Sequence, residues 1–179
     1  MDTQTGLILV EADFAYAHAY ADMANEYLQH ESEIEPHEAK TYRHALEDIN
    51  AHIRLLRDHS RGEGLSKGMV RQTTYWLIDD DRILGTSRLR HELTPPLRYE
   101  GGHIGYGIRP SCRGRGYGNV ICQLTLDRAR RIGMKQVLLT CKDTNIASMR
   151  IIESNGGVLE NKVISRETGE LMRRYWIAL

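Results

Sequence analysis

The sequence has few cysteines, no long apolar run and no excess of either charge. Its three cysteines, Cys112, Cys122 and Cys141, show neither the paired spacing of a metal site nor a disulfide framework. No apolar stretch approaches the roughly 20 residues that a membrane span needs, and the amino terminus lacks the basic segment of a signal peptide. The 24 basic residues are balanced by 24 acidic ones, whereas duplex-binding proteins usually carry a basic excess. We therefore expect a cytoplasmic protein that binds no metal, no membrane and no nucleic acid.

The length and composition are those of one globular domain. The chain has 179 residues, of which 41% are hydrophobic and 27% are charged. This is enough to bury a sizeable core. We find no internal repeat and no low-complexity segment, so we expect a single domain over residues 1–179.

The hydrophobic pattern changes repeatedly between strand and helix spacing. It predicts a strand at 7–10, helices over 13–27 and 36–57, and strands over 70–79, 83–93 and 101–108. A helix from about Asn119 to Gly133, a strand at 136–141 and a short helix at 145–157 follow. The segments VLENKVI and RRYWIAL predict a terminal hairpin. This order indicates a mixed α/β sheet with helices on both faces.

The segment GIRPSCRGRGYGNVI, residues 107–121, places glycines at positions 114, 116 and 118, where a strand gives way to a helix. Glycines let successive N–H groups turn toward one anion, and the helix dipole favours the same point. Hydrogen bonds to a charged group contribute about 1.5–3 kcal/mol each, against about 0.3–1 kcal/mol for the dipole. The segment therefore predicts a phosphate-binding loop, with Arg113 and Arg115 as additional contacts. A mobile glycine turn with solvated arginines is the alternative.

Two common phosphate motifs fit this loop poorly. The nucleoside-triphosphate loop requires a lysine after its last glycine, and none follows here. The dinucleotide fingerprint places its third glycine one residue further on and lies at the first strand of its domain. A dinucleotide-binding protein, with Asp143 near the ribose, stays open as a weaker alternative.

The pattern Arg113-x-x-Gly116-x-Gly118, after an alternating strand and at the start of a helix, resembles the acyl-CoA loop of the GNAT superfamily of N-acetyltransferases. The downstream segment VLLTCKDTNIASMRIIESNGGVLE resembles the strand and helix that follow this loop in that family. The match covers residues 103–160. It implies an α/β (α+β) fold of the GNAT type, with a mixed, mostly antiparallel twisted sheet, helices on both faces and a splayed central pair of parallel strands.

The resemblance implies acetyl-CoA as co-substrate. Its pyrophosphate would lie on the loop amides, and its pantetheine arm would run along the strand that ends at Ile108, where a backbone N–H polarises the thioester. In the family, an asparagine and a small residue three positions later also contact the coenzyme. The cofactor-binding residues implied here are Ile108, Arg113, Gly114, Arg115, Gly116, Tyr117, Gly118, Asn145 and Ser148.

The resemblance also implies that an amine attacks the thioester directly in a ternary complex. Many relatives have a tyrosine that protonates the leaving thiolate, but Ile152 stands at that position here, and Gly102 stands where some relatives carry a glutamate. A thiolate with a pKa of about 8.5 can leave unassisted. The candidate base is His103, because an imidazole titrates near neutral pH. A sheet histidine bonded to a neighbouring strand is the alternative.

The acceptor side is predicted from the strand that precedes His103. There Arg90 and His91, together with Arg88 and Glu92, are candidates for binding an acidic or carboxylate-bearing acceptor, the alternative being a solvated sheet face. Small-molecule amines, amino acids and peptide N-termini all remain open as acceptors. A second interpretation is a non-catalytic acyl-CoA-binding module of the same fold. Pairing through the C-terminal strand leaves a homodimer open.

Overall fold

The computed structural model describes residues 6–179, which form seven strands and six α-helices. In chain order these are β1 Ile8–Glu11, α1 Ala17–Gln29, α2 Pro36–Glu47, α3 Ile49–Arg61, β2 Gln72–Asp79, β3 Arg82–Arg90, α4 Pro95–Tyr99, β4 Ile104–Ile108, α5 Tyr117–Arg131, β5 Gln136–Lys142, α6 Ile146–Ser154, β6 Val158–Ile164 and β7 Leu171–Ala178. No helix in residues 6–179 has the length and apolar character that crossing a bilayer requires. The single domain expected over residues 1–179 includes residues 1–5, which lie outside the described residues.

The strands form two sheets in which hydrogen-bonded neighbours are antiparallel. The first sheet has the order β1-β2-β3-β4, and the second has the order β5-β7-β6. The chain passes from β4 to β5 through α5, and a helical crossover of this kind joins parallel strands. The predicted mixed, mostly antiparallel architecture is confirmed.

Helices cover both faces of the first sheet and enclose two hydrophobic clusters. Helices α1, α2 and α3 pack on one face, and the buried residues of that cluster include Tyr20, Met23, Tyr27, Tyr42, Ile53 and Trp76. Helix α5 packs on the opposite face, where the second cluster includes Leu77, Leu89, Ile104, Ile121, Leu126 and Leu139. The alternation of side chains along each strand divides the residues between these clusters.

The two sheets meet at His103 and Leu138. The N–H of His103 donates to the carbonyl of Leu138 at 2.7 Å, and the N–H of Leu138 donates to Nδ1 of His103 at 2.8 Å. A Cβ at Gly102 would lie 2.4 Å from the Leu138 carbonyl oxygen, so this approach requires a glycine. Between β4 and β5 themselves no ladder forms in the described part of the chain. The predicted central pair is therefore splayed.

The helices differ from the prediction in several places. The helix expected over 36–57 is two helices, because Asp48 is extended and its side chain accepts the N–H of Ala51 at 2.8 Å to begin α3. Pro95 and Pro96, which follow the strand predicted over 83–93, form the first turn of a further helix, α4, where the missing proline N–H carries no cost. Helix α5 begins at Tyr117, two residues before the predicted start.

The terminal hairpin forms as predicted, but the edge strand is not the one expected. Strand β7 lies between β5 and β6. The C-terminal strand therefore has both edges occupied, and pairing of two copies through it is contradicted. The outer edge of this sheet belongs to β6.

Candidate functional site

The loop between β4 and α5 presents a row of backbone N–H groups. The N–H of Asn119 donates to the carbonyl of Gly116 at 3.0 Å, but within the described residues the N–H groups from Gly114 to Gly118 donate to no backbone carbonyl. Gly114 and Gly116 have φ values of +75° and +83°, which side chains disfavour. Both glycines are exposed. Successive free N–H groups at a helix start form a concave site for an anion.

A buried ion pair anchors the beginning of this loop to α1. The carboxylate of Glu26 accepts the Nε–H of Arg109 and the N–H of Ser111, the latter at 2.7 Å. The side chains of Arg109 and Glu26 are only 11% and 14% exposed. Burial by itself raises the pKa of Glu26, but the bonds from Ser111 and Arg109 outweigh it, so the pKa is lowered overall. The loop is thereby held in place independently of any ligand.

The outer edge of β4 has free backbone groups beside this loop. The N–H of Arg109 donates to the carbonyl of Leu84 in β3 at 2.9 Å. Because alternate residues of a strand point to opposite edges, the N–H and C=O of Tyr106 and the N–H of Ile108 point away from β3. They face the cleft that opens between β4 and β5.

The connection between α1 and α2 carries acidic residues to both sides of this cleft. Glu33 forms an ion pair with Arg113, whose Nε also donates to the carbonyl of Ile108 at 3.1 Å. Glu35 contacts Lys142 at the end of β5 at 2.7 Å. The predicted phosphate contact Arg113 therefore already has a carboxylate partner, whereas the loop amides have none.

Helix α6 packs against the start of α5 through a glycine. A Cβ at Gly118 would lie 2.6 Å from Cδ1 of Ile151, so this glycine permits the close approach of the two helices. The side chain of Asn145 begins α6 by accepting the N–H of Ser148 at 3.0 Å. Ile152, where the resemblance leads one to expect a tyrosine, is 1% exposed. Asn119 also contacts Ser154 and Asn155, so the start of α5 lies beside the end of α6, and Asn145 and Ser148 lie at the other end of α6.

Comparison with known sequences and structures shows which family has this arrangement. A sequence model described as an acetyltransferase (GNAT) domain matches residues 7–158. The chain belongs to the GNAT acetyltransferase family. No curated protein matches this chain.

Solved structures similar to this GNAT protein include several N-acetyltransferases. RimL, a ribosomal L7/L12 α-N-protein acetyltransferase in complex with coenzyme A, superposes with a TM-score of 0.73 at 19% identity, covering 99% of this chain and 97% of that one. The ribosomal-protein-S5-alanine acetyltransferase from Vibrio fischeri gives 0.73 at 14% identity, with coverages of 99% and 95%. The microcin C7 self-immunity acetyltransferase MccE, in complex with acetyl-CoA and AMP, gives 0.73 at 15%, with coverages of 99% and 98%. At sequence identities of 14–19%, these similarities show a shared fold.

His103 occupies the junction of the two sheets in this GNAT protein. Its Nδ1 accepts the Leu138 N–H, so the neutral ring carries its proton on Nε2 and has no free lone pair in the ring plane. Burial, together with the positive charges of Arg98 and Arg90, lowers its pKa to about 4. The side chain is 9% exposed. This geometry favours the alternative of a sheet histidine over that of a base at neutral pH.

We expect His103 to make folding stability depend on pH. The folded protein keeps the ring neutral down to about pH 4, whereas an unfolded histidine binds its proton near a pH of about 6.5. Stability is therefore complete above about 6.5 and falls as the pH drops toward 4. His103→Asn keeps an acceptor for the Leu138 N–H and removes the titration, so urea unfolding between pH 7 and 4.5 should show a shallower loss of stability.

The same variant tests the catalytic role. If His103 were the base, His103→Asn would abolish turnover at pH 7.5, whereas a structural histidine leaves most of it. An unchanged pH dependence of stability in the variant would show that the ring is not held neutral by the fold. His52, whose pKa burial also lowers to about 4, accounts for a residual slope in both proteins.

The predicted acceptor residues Arg90 and His91 have partners within the protein. Nη1 of Arg90 donates to the carbonyls of Gly101 and Gly102, at 3.0 and 2.8 Å, and so holds the turn before β4. Nε2 of His91 contacts the hydroxyl of Thr73 at 2.9 Å. Both side chains are placed to support the sheet end rather than to extend into a cleft.

Proposed function

We propose that the protein transfers an acetyl group from acetyl-CoA to a primary amine, by direct attack of the amine in a ternary complex, within a single domain over residues 1–179. The observation that carries this proposal is the row of free amides from Gly114 to Gly118 beside the free edge of β4. A diphosphate needs several donors at one point, and an amide-bearing arm needs an open strand edge. Both needs are met within a few residues of one another.

The loop amides are proposed to bind the pyrophosphate of the coenzyme. Each hydrogen bond to a charged group contributes about 1.5–3 kcal/mol. Two or three such bonds from the loop amides therefore contribute more binding free energy than the exposed side chain of Arg115. Arg113 becomes a further phosphate contact when its guanidinium leaves the carboxylate of Glu33 and binds the phosphate. Asn145 and Ser148, at the start of α6, are proposed as further contacts of the coenzyme, since the side-chain amide of Asn145 keeps its N–H groups after its oxygen has capped the helix.

The edge of β4 is proposed to bind the arm of the coenzyme as an added strand. The N–H and C=O of Tyr106 pair with its amides, and the N–H of Ile108 points at the thioester oxygen, where it stabilises the negative charge that develops during attack. The thioester supplies the activated acetyl group. Because Ile152 has no proton to give, the thiolate leaves without an acid from this position.

Deprotonation of the amine then depends on the acceptor more than on a protein base. An α-amino group has a pKa of about 7.7–8.0, so a substantial fraction is neutral near pH 7.5, whereas a lysine amine with a pKa of about 10.4 is almost entirely charged. Because Nδ1 of His103 is bonded to the N–H of Leu138, acceptors whose amine has the lower pKa are favoured. Peptide N-termini fit this requirement.

The assay that tests the proposal follows thiol release from acetyl-CoA in the presence of a panel of amines, alongside direct binding of CoA. We expect CoA to bind and at least one α-amine to release thiol. The competing function, a CoA-binding module without turnover, is favoured by the buried Ile152. Binding without thiol release across α-amines, polyamines and aminoglycosides would select the module, and absence of CoA binding would exclude both.

A further inference from the structure

Arg88 lies on the face of the sheet that α1, α2 and α3 cover. It stands opposite Thr74 in β2 and Gly105 in β4, and directly opposed residues point to the same side of a sheet. The next pair along, Thr86 and Gly107, lies on this face as well. β4 therefore presents only glycines beside Arg88, and the surface there is bare main chain.

Arg88 is one of two arginines near the site that have no protein partner. Arg90 holds the carbonyls before β4, Arg109 pairs with Glu26 and Arg113 pairs with Glu33. Within residues 6–179, the guanidinium groups of Arg88 and Arg115 form no ion pair and no hydrogen bond. Of these two, Arg115 belongs to the proposed phosphate loop, whereas Arg88 lies on the sheet beside β4. An arginine that is not paired in the protein is available to a ligand.

Arg88 is exposed, and its neighbours across this face of the sheet are on α2. Desolvation by the surrounding protein lowers its pKa, and the carboxylate of Glu38 and the phenol of Tyr42 on α2 partly offset this. The space between Arg88, the start of α2 and the glycines of β4 is called the groove here. Oε2 of Glu38 accepts the N–H of Glu35 as part of the capping box of α2, which keeps this carboxylate on the helix side.

A buried hydroxyl marks the other end of the groove. Tyr27 is 4% exposed, and its hydroxyl has no hydrogen-bond partner among the described residues. This oxygen would lie 3.2 Å from a Cβ placed on Gly107. The hydroxyl therefore covers Gly107, whereas a Cβ placed on Gly105 would meet no atom within 4 Å. An unsatisfied buried hydroxyl costs free energy, and a polar ligand lying over Gly105, beside this hydroxyl, would supply the missing partner.

We infer that Arg88 binds a carboxylate of the acceptor, so that the protein acetylates amines that carry a carboxylate a short distance from the nitrogen. The inference rests on the proposed function, since it takes the thioester to lie at Ile108. Gly105, opposite Arg88, and Ile108 are three residues apart on β4, which is about 10 Å at ~3.3 Å per residue. That spacing suits a short peptide that carries a carboxylate, at its C-terminus or on an acidic side chain, within its first three residues. The planar fork of arginine matches a carboxylate with two parallel bonds.

The experiment compares acceptors that differ only in charge. One pair is triglycine and its amide, and the other is two tetrapeptide amides with glutamate or glutamine at the third position. We expect the wild type to prefer the acid of at least one pair by about 10- to 100-fold in kcat/KM, the size of a charge-assisted contact. The pair that shows the preference distinguishes a C-terminal carboxylate from an acidic side chain.

Two variants distinguish a loss of carboxylate recognition from a general loss of structure. Arg88→Gln should lower kcat/KM for the acid to about the value for the amide, and so remove the preference, while CoA binding stays within about twofold of the wild type. Glu38→Gln keeps the capping box and removes a negative charge from the groove, so the preference for the acid should increase. A control, Arg131→Gln at the far end of α5, should change neither quantity.

The outcomes distinguish this inference from the proposed function. An equal rate for acid and amide in the wild type, or a preference that survives in Arg88→Gln, would overturn the role of Arg88 and leave the acetyltransferase proposal standing. If no amine releases thiol, equilibrium binding of the same four acceptors to the CoA complex provides the comparison. Equal binding of acid and amide there would overturn the inference separately.

Discussion

Gly116→Val is expected to weaken CoA binding by at least about 100-fold. A valine disfavours the left-handed conformation at φ +83° and so turns the neighbouring amides away from their common point. Loss of two bonds to a charged group corresponds to about 3–6 kcal/mol. A Cβ at this position meets no protein atom within 4 Å, so the fold should survive the backbone strain of about 1–3 kcal/mol. Isothermal titration with CoA measures the effect.

The matched control for this variant is Gly133→Val at the other end of α5. Gly133 has φ +84° and also has no neighbour within 4 Å of its Cβ position, so the variant suffers similar strain far from the loop. It should lose stability to a comparable degree and bind CoA like the wild type. Equal affinity of Gly116→Val and wild type would show that the loop amides are not the phosphate site.

Glu26→Gln is expected to lower the free energy of unfolding by about 3–5 kcal/mol. The substitution removes one charge of a largely buried pair and leaves the guanidinium of Arg109 without its counter-ion. The glutamine can still accept the N–H of Ser111, so the effect isolates the charge. The same change frees the start of the phosphate loop, and CoA affinity should fall as well. Urea denaturation and CoA titration measure the two effects.

An exposed ion pair provides the comparison. Asp127 and Arg130 on α5 are both 47% exposed, and breaking such a pair costs at most about 1 kcal/mol. Asp127→Asn should therefore be nearly neutral and bind CoA normally. If Glu26→Gln were no more destabilising than Asp127→Asn, the Glu26–Arg109 pair would not be the anchor of the loop.

The parts of the site that depend on neighbouring residues could be predicted from the sequence. Glycines at alternate positions specify a loop conformation by themselves, and the cap at Asn145 needs only Ser148. The anchor at Glu26 could not be predicted, because its partner Arg109 is distant in sequence and an isolated glutamate on a helix gives no sign of burial. For the same reason the sequence pattern could not show that Arg88, and not Arg90, is available to a ligand. Both are arginines on one strand, and the carbonyls of the turn before β4 decide which of them is paired.

The break at Asp48 shows a different limit of sequence reasoning. Apolar spacing continues from Tyr42 through Ile49 to Ile53 as though one helix ran through, and aspartate is tolerated inside helices. Packing of α2 and α3 on the same face decides in favour of two shorter helices. The choice between a mid-helix aspartate and an N-cap is therefore made by tertiary structure.

The lack of side chains at Gly105 and Gly107 of β4 affects the directions from which the two substrates can reach the site. Main-chain groups point along the plane of a sheet and side chains point out of it, so the free edge of β4 and its surface at Gly105 face perpendicular directions. A coenzyme bound along the edge, as proposed, and an amine that reaches the thioester over Gly105 would approach from different directions, and neither would have to leave before the other binds.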